Sequence, residues 1–272
     1  MKPLKKIAIV ANASKPGAVQ LAEEIQAIAE QYEVSFKKTS VFPCESDFLA
    51  GMDACFVVGG DGTLLGMMKS SVEHNVPVAG IRHGKLGFLA TLSPEDLNTS
   101  IPELFLGNYH IKQRSMLKYM GGDGDPNLAL NDLVVKSGSN SRLARFSVHL
   151  NEEHVADYAC DGIVFSTPTG STAYNLAAGG PIVHPDAQVV LMTPISAHSL
   201  TSRSMVFPSG VLLKISPIES NDQPLVSADG QPAFREMQHF PVCVSLANEK
   251  FSLMELADHS HFRVLRNKLK WG

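Results

Sequence analysis

Across the first hundred residues, short apolar runs alternate with stretches where apolar positions recur every three or four residues. Lys6–Val10, Val34–Lys37, Ala54–Val58 and Val76–Ile81 read as strands, the third apolar throughout, as expected of a strand covered on both faces. Between them, Ala18, Ala22, Ile25, Ala29 and Tyr32 mark a helix over about Pro16–Tyr32, with Pro16 tolerated in its first turn. A second helix is expected from Thr63 to about His74. A third start is signalled by Ser93-Pro94-Glu95-Asp96, with Ser as cap and acids near the positive end. Phe42–Gly51 reads as irregular. Strands alternating with helices predict a parallel sheet with helical cover.

From about Tyr109 the rhythm changes. Strand-like runs recur every eight to twelve residues, separated by turn residues: Ser115–Met120, Leu128–Lys136, Phe146–Leu150, Ile163–Ser166, Val189–Thr193, Val211–Ile215 and Val242–Leu246. This predicts an all-β domain of sandwich type. Its one good helix signal follows Thr169-Gly170-Ser171-Thr172. The closing stretch, His261 to Trp271, alternates apolar and basic residues, has no place in the β domain and is expected to return to the first. The expected division is an α/β domain over 1–105 joined by the tail 258–272, and a β-rich domain over 106–257.

Composition narrows the partners. A chain of 272 residues, 44% hydrophobic and 18% charged, suits a globular protein of one large or two medium domains. A net charge of −4, with no basic run longer than Lys5-Lys6 or Lys37-Lys38, argues against nucleic acid or an anionic membrane as partner. No apolar stretch approaches the ~20 residues that cross a bilayer. MKPLKKIAIV runs straight into a strand without a secretory apolar region. The four cysteines lie far apart and the ten histidines include no HExxH pattern, so a cytoplasmic protein with reduced thiols and no built-in metal cage is expected.

The candidate chemistry starts at Gly59-Gly60-Asp61-Gly62-Thr63. A strand ending in glycines ahead of a helix brings backbone N–H groups to an anion. An ordinary phosphate cradle has no carboxylate in its centre, so Asp61 suggests a phosphate site facing the hydroxyl that receives the phosphate. Gly59, Gly60, Gly62 and Thr63 are the candidate phosphate contacts. The near copy Gly121-Gly122-Asp123-Gly124 stands between two strand signals with no helix after it, and reads as a hairpin loop. Asn131-Asp132 interrupts an apolar run, where one of the pair is expected to face the interior and to be costly without a partner. Asp161 to Asn175 packs hydroxyl residues, Pro and Gly into a strand–turn–helix. Its Ser and Thr are expected to cap the helix, and Tyr174 offers a ring and a hydroxyl to a ribose or base.

Together, GGDGT, the Asn-Asp pair in ALNDLVV and DGIVFSTPTGSTAYNLAAGGPIVHP resemble NAD kinases. Supporting pieces are Ile81–Leu89, similar to that family's second glycine segment, and the closing Lys268-Leu269-Lys270-Trp271. The likeness runs from about Lys6 to Trp271. GGDGT alone is shared with lipid kinases; TPTGSTAYN narrows it. The resemblance implies transfer of phosphate from ATP to the 2′-hydroxyl of the adenosine ribose of NAD, with Mg²⁺ or another divalent cation arriving mainly with ATP, in a homodimer or homotetramer. It implies Asp61 as proton acceptor. It also implies an NAD site lined by Asp61, Gly62, Phe88, Asn131, Asp132, Arg142, Asp161, Thr172, Ala173, Tyr174, Ala177 and Gln231. Three positions depart from the family pattern: Asp132 stands where Glu is usual, Arg82 where Asn is common, and Ala159 where a polar side chain is frequent. A lipid kinase, and a non-catalytic NAD(P)-sensing module, are the competing readings.

Overall fold

The computed structural model describes residues 1–122, 124–138, 144–218, 224–234 and 240–271. The chain forms two compact units, Met1–Gln113 with Phe251–Gly272, and Arg114–Lys250. The boundaries fall inside two long strands rather than in linkers.

The first unit contains β1 (Lys6–Ala11), α1 (Ala18–Gln31), β2 (Ser35–Thr39), β3 (Ala54–Gly59), α2 (Asp61–His74), β4 (Val78–Arg82) and α3 (Leu97–Leu106). Its sheet runs β2-β1-β3-β4, every pair parallel. All six residues of β3 are buried, which explains the unbroken apolar run. The helical stripe Ala18, Ala22, Ile25, Ile28 and Ala29 packs with Ile7, Ile9, Phe56 and Phe105 in one core, where the Phe56 and Phe105 rings meet edge-on at 5.6 Å.

Two helix starts differ from expectation. Helix α2 begins at Asp61 rather than Thr63, because Gly60 takes the cap position with extended backbone and leaves Asp61 in the first turn. Ser93 does not cap: its hydroxyl accepts from the Arg82 guanidinium at 2.8 Å and donates to Glu95, and a single 3₁₀ turn, Pro94–Asp96, precedes α3.

The second unit begins within β5 (Tyr109–Gly121). It continues through β6 (Asn127–Ala129), β7 (Asp132–Lys136), β8 (Ala144–Leu150), β9 (Glu153–Cys160), β10 (Gly162–Ser166), the short α4 (Tyr174–Ala177), β11 (Val189–Ile195), β12 (Met205–Pro208), β13 (Leu213–Pro217), β14 (Leu225–Ala228) and β15 (Gln231–Pro232). It ends within β16 (Val242–Leu256). One antiparallel sheet runs β12-β11-β10-β7-β14-β15. The β16-β13-β8-β9 strands form a second antiparallel layer. Leu133, Val135, Ile163 and Phe165 from the first sheet share a core with Phe146, Val148, Ile215 and Val244 from the second, the sandwich-like arrangement expected.

The expected strand Leu128–Lys136 is two strands. β6 pairs β5 and β7 pairs β10, so the chain changes sheets at Leu130-Asn131. The Gly121 copy closes β5, Gly122 takes φ 53°, and β6 follows antiparallel, as a hairpin requires; Asp123 lies outside the described residues. The tail is α5 (His261–Leu269), capped by Ser260, whose hydroxyl accepts the Arg263 N–H at 3.3 Å; it belongs to the first unit. Among the described residues, no helix is long and apolar enough to cross a membrane.

Candidate functional site

Within the first unit, three loops leave the carboxyl ends of β1, β3 and β4, the end at which parallel sheets hold ligands. The β3 loop is Gly59-Gly60. A Cβ on Gly59 would lie 2.4 Å from the Thr63 hydroxyl, so only glycine lets the chain turn this tightly into α2. Gly62 is exposed and Thr63 buried. Asp61 is half-buried and turned toward the β4 loop. Its Oδ2 accepts the Phe88 N–H at 2.8 Å, and its Oδ1 accepts those of Leu89 and Ala90, both at 3.0 Å. Gly87 makes the approach possible, since a Cβ there would sit 2.1 Å from Oδ1. A carboxylate offers about four acceptor positions. Among the described residues three are taken, and one on Oδ2 is left.

Sequence reasoning missed two neighbours of this loop. Lys15, in the β1 loop, is set by a turn in which its N–H donates to Asn12 carbonyl at 3.0 Å. Its ammonium nitrogen lies 3.2 Å from where a Gly60 Cβ would be. It has no ion-pair partner among the described residues. Lys268, from α5, donates to the Leu86 carbonyl and stands 5.5 Å from the centre of the Phe88 ring. The signal for Lys15 was available, as a basic residue in the loop after the first strand of a parallel sheet. Arg82, which stands where Asn is common in the resembled family, pairs with Glu95 at 2.9 Å.

In the second unit the sheet change at Leu130-Asn131 leaves backbone groups without ladder partners, and side chains take them. The Asp229 carboxylate accepts the N–H of Leu130 at 2.8 Å, Asn131 at 2.7 Å and Asp132 at 3.2 Å. From the other side, Thr167 N–H and the Ser166 hydroxyl donate to the Asn131 carbonyl at 2.9 and 3.1 Å. The Thr167 hydroxyl donates to the Leu130 carbonyl at 2.6 Å. A Cβ on Gly170 would lie 2.0 Å from the Asn131 carbonyl oxygen. Of the Ser and Thr residues expected to cap this helix start, it is Thr167 that holds it: its hydroxyl accepts the Gly170 N–H at 2.9 Å. With its backbone fixed, the half-buried Asn131 amide has no partner among the described residues.

Asp132 is the interior member of the pair, 5% exposed. Burial and the neighbouring Asp229 push its carboxyl up to about 7, against the opposing effect of the Tyr174 backbone N–H. Asp229 is raised as well, by burial, despite its three backbone donors. The TPTGSTAYN stretch divides in two. Ser171 and Asn175 are fully buried and structural: Asn175 donates to the Ser171 and Pro181 carbonyls and accepts from Thr193 at 2.7 Å. Thr172, Ala173 and Tyr174 are half-buried and Ala177 is exposed. The Lys136 ammonium stands 4.7 Å over the Tyr174 ring. Asp161 is exposed just before β10, and Gln231 is exposed in β15, two residues beyond Asp229. Arg142 lies outside the described residues. Among the described residues no group of three or more His, Cys, Asp or Glu is placed to hold a metal ion.

Two family models match the chain: the ATP-NAD kinase N-terminal domain over residues 38–109 and the ATP-NAD kinase C-terminal domain over 130–256. A curated NAD kinase from Heliobacterium modesticaldum is 35% identical over 279 residues, covering 98% of this chain and 99% of its own. One from Clostridium botulinum is 36% identical, covering 98% and 97%. Among solved structures, yeast NADH kinase complexed with NADH superposes with a TM-score of 0.85 at 21% identity, over 100% of this chain and 89% of that one. An Archaeoglobus fulgidus NAD kinase in complex with ATP gives 0.79 at 22%, over 97% and 98%; both establish likeness of fold.

Proposed function

Because the chain belongs to the NAD kinase family, we propose that it transfers the γ-phosphate of ATP, or of polyphosphate, to the 2′-hydroxyl of the adenosine ribose of NAD, giving NADP. The observation that carries this reading is Asp61, a carboxylate beside a glycine turn, fixed by three backbone donors with one acceptor position left. That position takes the 2′-hydroxyl. The new O–P bond forms as the γ-phosphorus leaves the bridging oxygen of ADP, and the hydroxyl proton passes late to Asp61. A loose transition state asks little of a base before attack, so orientation is the first task of Asp61. Gly59, Gly60, Gly62 and Thr63, with Lys15 beside them, face the phosphates.

Asn131, Asp132, Asp161, Thr172, Ala173, Tyr174, Ala177 and Gln231, with Phe88 and Arg142, are the proposed NAD contacts. The fixed Asn131 backbone with its unengaged amide, and the half-buried run from Thr172 to Tyr174, support the assignment. The described residues offer no cage for a divalent cation. Mg²⁺ is proposed to arrive on the phosphates, where it would offset their charge. A cytoplasmic homodimer or homotetramer completes the reading.

The test is purified protein with ATP, Mg²⁺ and NAD, coupled to a dehydrogenase that accepts only NADP. Turnover is expected. A signal with diacylglycerol in place of NAD would favour a lipid kinase, and tight NAD(P) binding without turnover a sensing module. Asp61→Asn is expected to lower kcat by at least about 10²-fold with KM for NAD little changed. Near-normal kcat with a raised KM would refute the role.

A further inference from the structure

The closing motif has a contact that the reaction as described does not use. Lys268 reaches from α5 to the loop Leu86–Ala90, donating to the Leu86 carbonyl and standing over the Phe88 ring. The same loop supplies all three donors to Asp61, beginning at Phe88, the residue under the ammonium. Gly87, between the two contacts, is packed so tightly on Asp61 that a Cβ would overlap Oδ1 at 2.1 Å. All of these residues lie in the first unit.

We infer that Lys268 is a positioning residue for Asp61: it holds Leu86 and Phe88 so that the Phe88, Leu89 and Ala90 amides fix the rotation of the carboxylate. The physical argument is one of freedom. Leu86–Ala90 belongs to no helix or strand, and a loop opens locally at low cost unless its backbone is tied. Asp61 ties it at one side through three amides; Lys268 ties it at the other through a charge-assisted hydrogen bond and a cation–π contact. When the Lys268 side is released, the amides loosen and the one acceptor position left on Oδ2 no longer points in a fixed direction. A reacting group misdirected by about 1 Å loses on the order of 10²-fold in rate, so a partial loss of order here appears in kcat.

This rests on the reading of Asp61 as the acceptor carboxylate, but amide exchange tests the wiring without it. In the full-length protein, Lys268→Ala is expected to speed hydrogen exchange at the Phe88, Leu89 and Ala90 amides and to lower kcat about tenfold, with KM for NAD within about twofold. Lys268→Arg, which keeps a donor and a cation over the ring, restores most of both. Gly87→Ala alters neither Asp61 nor Lys268 but pushes the Asp61 carboxylate aside, and is expected to combine faster exchange with a loss of kcat of about 10² or more. Unchanged exchange at the three amides in Lys268→Ala, or full kcat in Gly87→Ala, would overturn the inference. If the wild type failed to phosphorylate NAD while the exchange results held, the functional reading would fall and the loop wiring would stand.

Discussion

At the scale of single residues, the chain solves one problem twice. Asp61 and Asp229 each take three successive backbone N–H groups with one carboxylate, the first at a loop beside a glycine turn, the second where a strand leaves its sheet. A buried N–H without an acceptor costs about 1–3 kcal/mol. Asp229→Ala removes the acceptor from three of them, and Asp229 also sits at φ 49°, where an alanine is strained. The expected loss is at least about 3 kcal/mol in urea unfolding, with KM for NAD raised because Asn131 and Asp132 lose their fixed backbone. Asp229→Asn keeps one acceptor oxygen and tolerates the left-handed backbone, so it is expected to cost less than half as much. If the two variants unfolded at the same urea concentration as the wild type, the three bonds would contribute nothing to the fold.

At the scale of elements, the parallel strands of the first unit bring loops together that are far apart in sequence. Lys15 lies beside Gly60 only because β1 and β3 are neighbours, with Val10 opposite Val57. Lys15→Ala is expected to raise KM for ATP about tenfold and leave KM for NAD unchanged, measured by varying each substrate in turn. Equal effects on both would show that Lys15 acts on the loop and not on the phosphates. The strands and helices of this unit were legible because β3 is apolar throughout, β1 and β4 carry a single basic residue each, at one end, and α1 carries a clean stripe. The strands missed in the second unit have the opposite pattern. β9 reads Glu-His-Val-Ala-Asp-Tyr-Ala-Cys, half exposed on one side, and β16 runs on through the polar Asn248-Glu249-Lys250, which resembles a turn. Leu128–Lys136 looked like one strand because both of its halves are apolar; the break lies in which sheet each half pairs with. The proposed ligand contacts of TPTGSTAYN could be found as a group but not separated from Ser171 and Asn175. Those two are buried by contacts with Val183, Pro181 and Thr193, beyond the motif.

At the scale of the whole molecule, Asp132 links folding to pH. Its carboxyl is raised from an ordinary 3.8 to about 7 in the folded protein, because burial and Asp229 both disfavour the anion. Between about pH 4 and 7 the unfolded chain has released this proton and the folded chain still holds it. Stability therefore falls as pH rises through that window, by up to about 1.4 kcal/mol per unit, and this contribution levels off above about 7. Asp132→Asn cannot titrate and keeps nearly the same shape, so its stability curve is expected to be flatter than that of the wild type over the same range. The difference between the two, from urea unfolding at pH 5, 6, 7 and 8, isolates Asp132 from other titrating groups, including its coupling to Asp229. Parallel curves would place the Asp132 charge outside the energetics of folding. The same charge bears on binding. On the proposed assignment of Asp132 as an NAD contact, a ribose hydroxyl donating to it would stabilise the anion that the free protein disfavours, so binding would lower the pKa and NAD affinity is expected to rise with pH through 7. The thermal shift produced by saturating NAD is then expected to grow from pH 6 to pH 8 in the wild type and to stay constant in Asp132→Asn. A shift that grows equally in both would assign the pH dependence to another group.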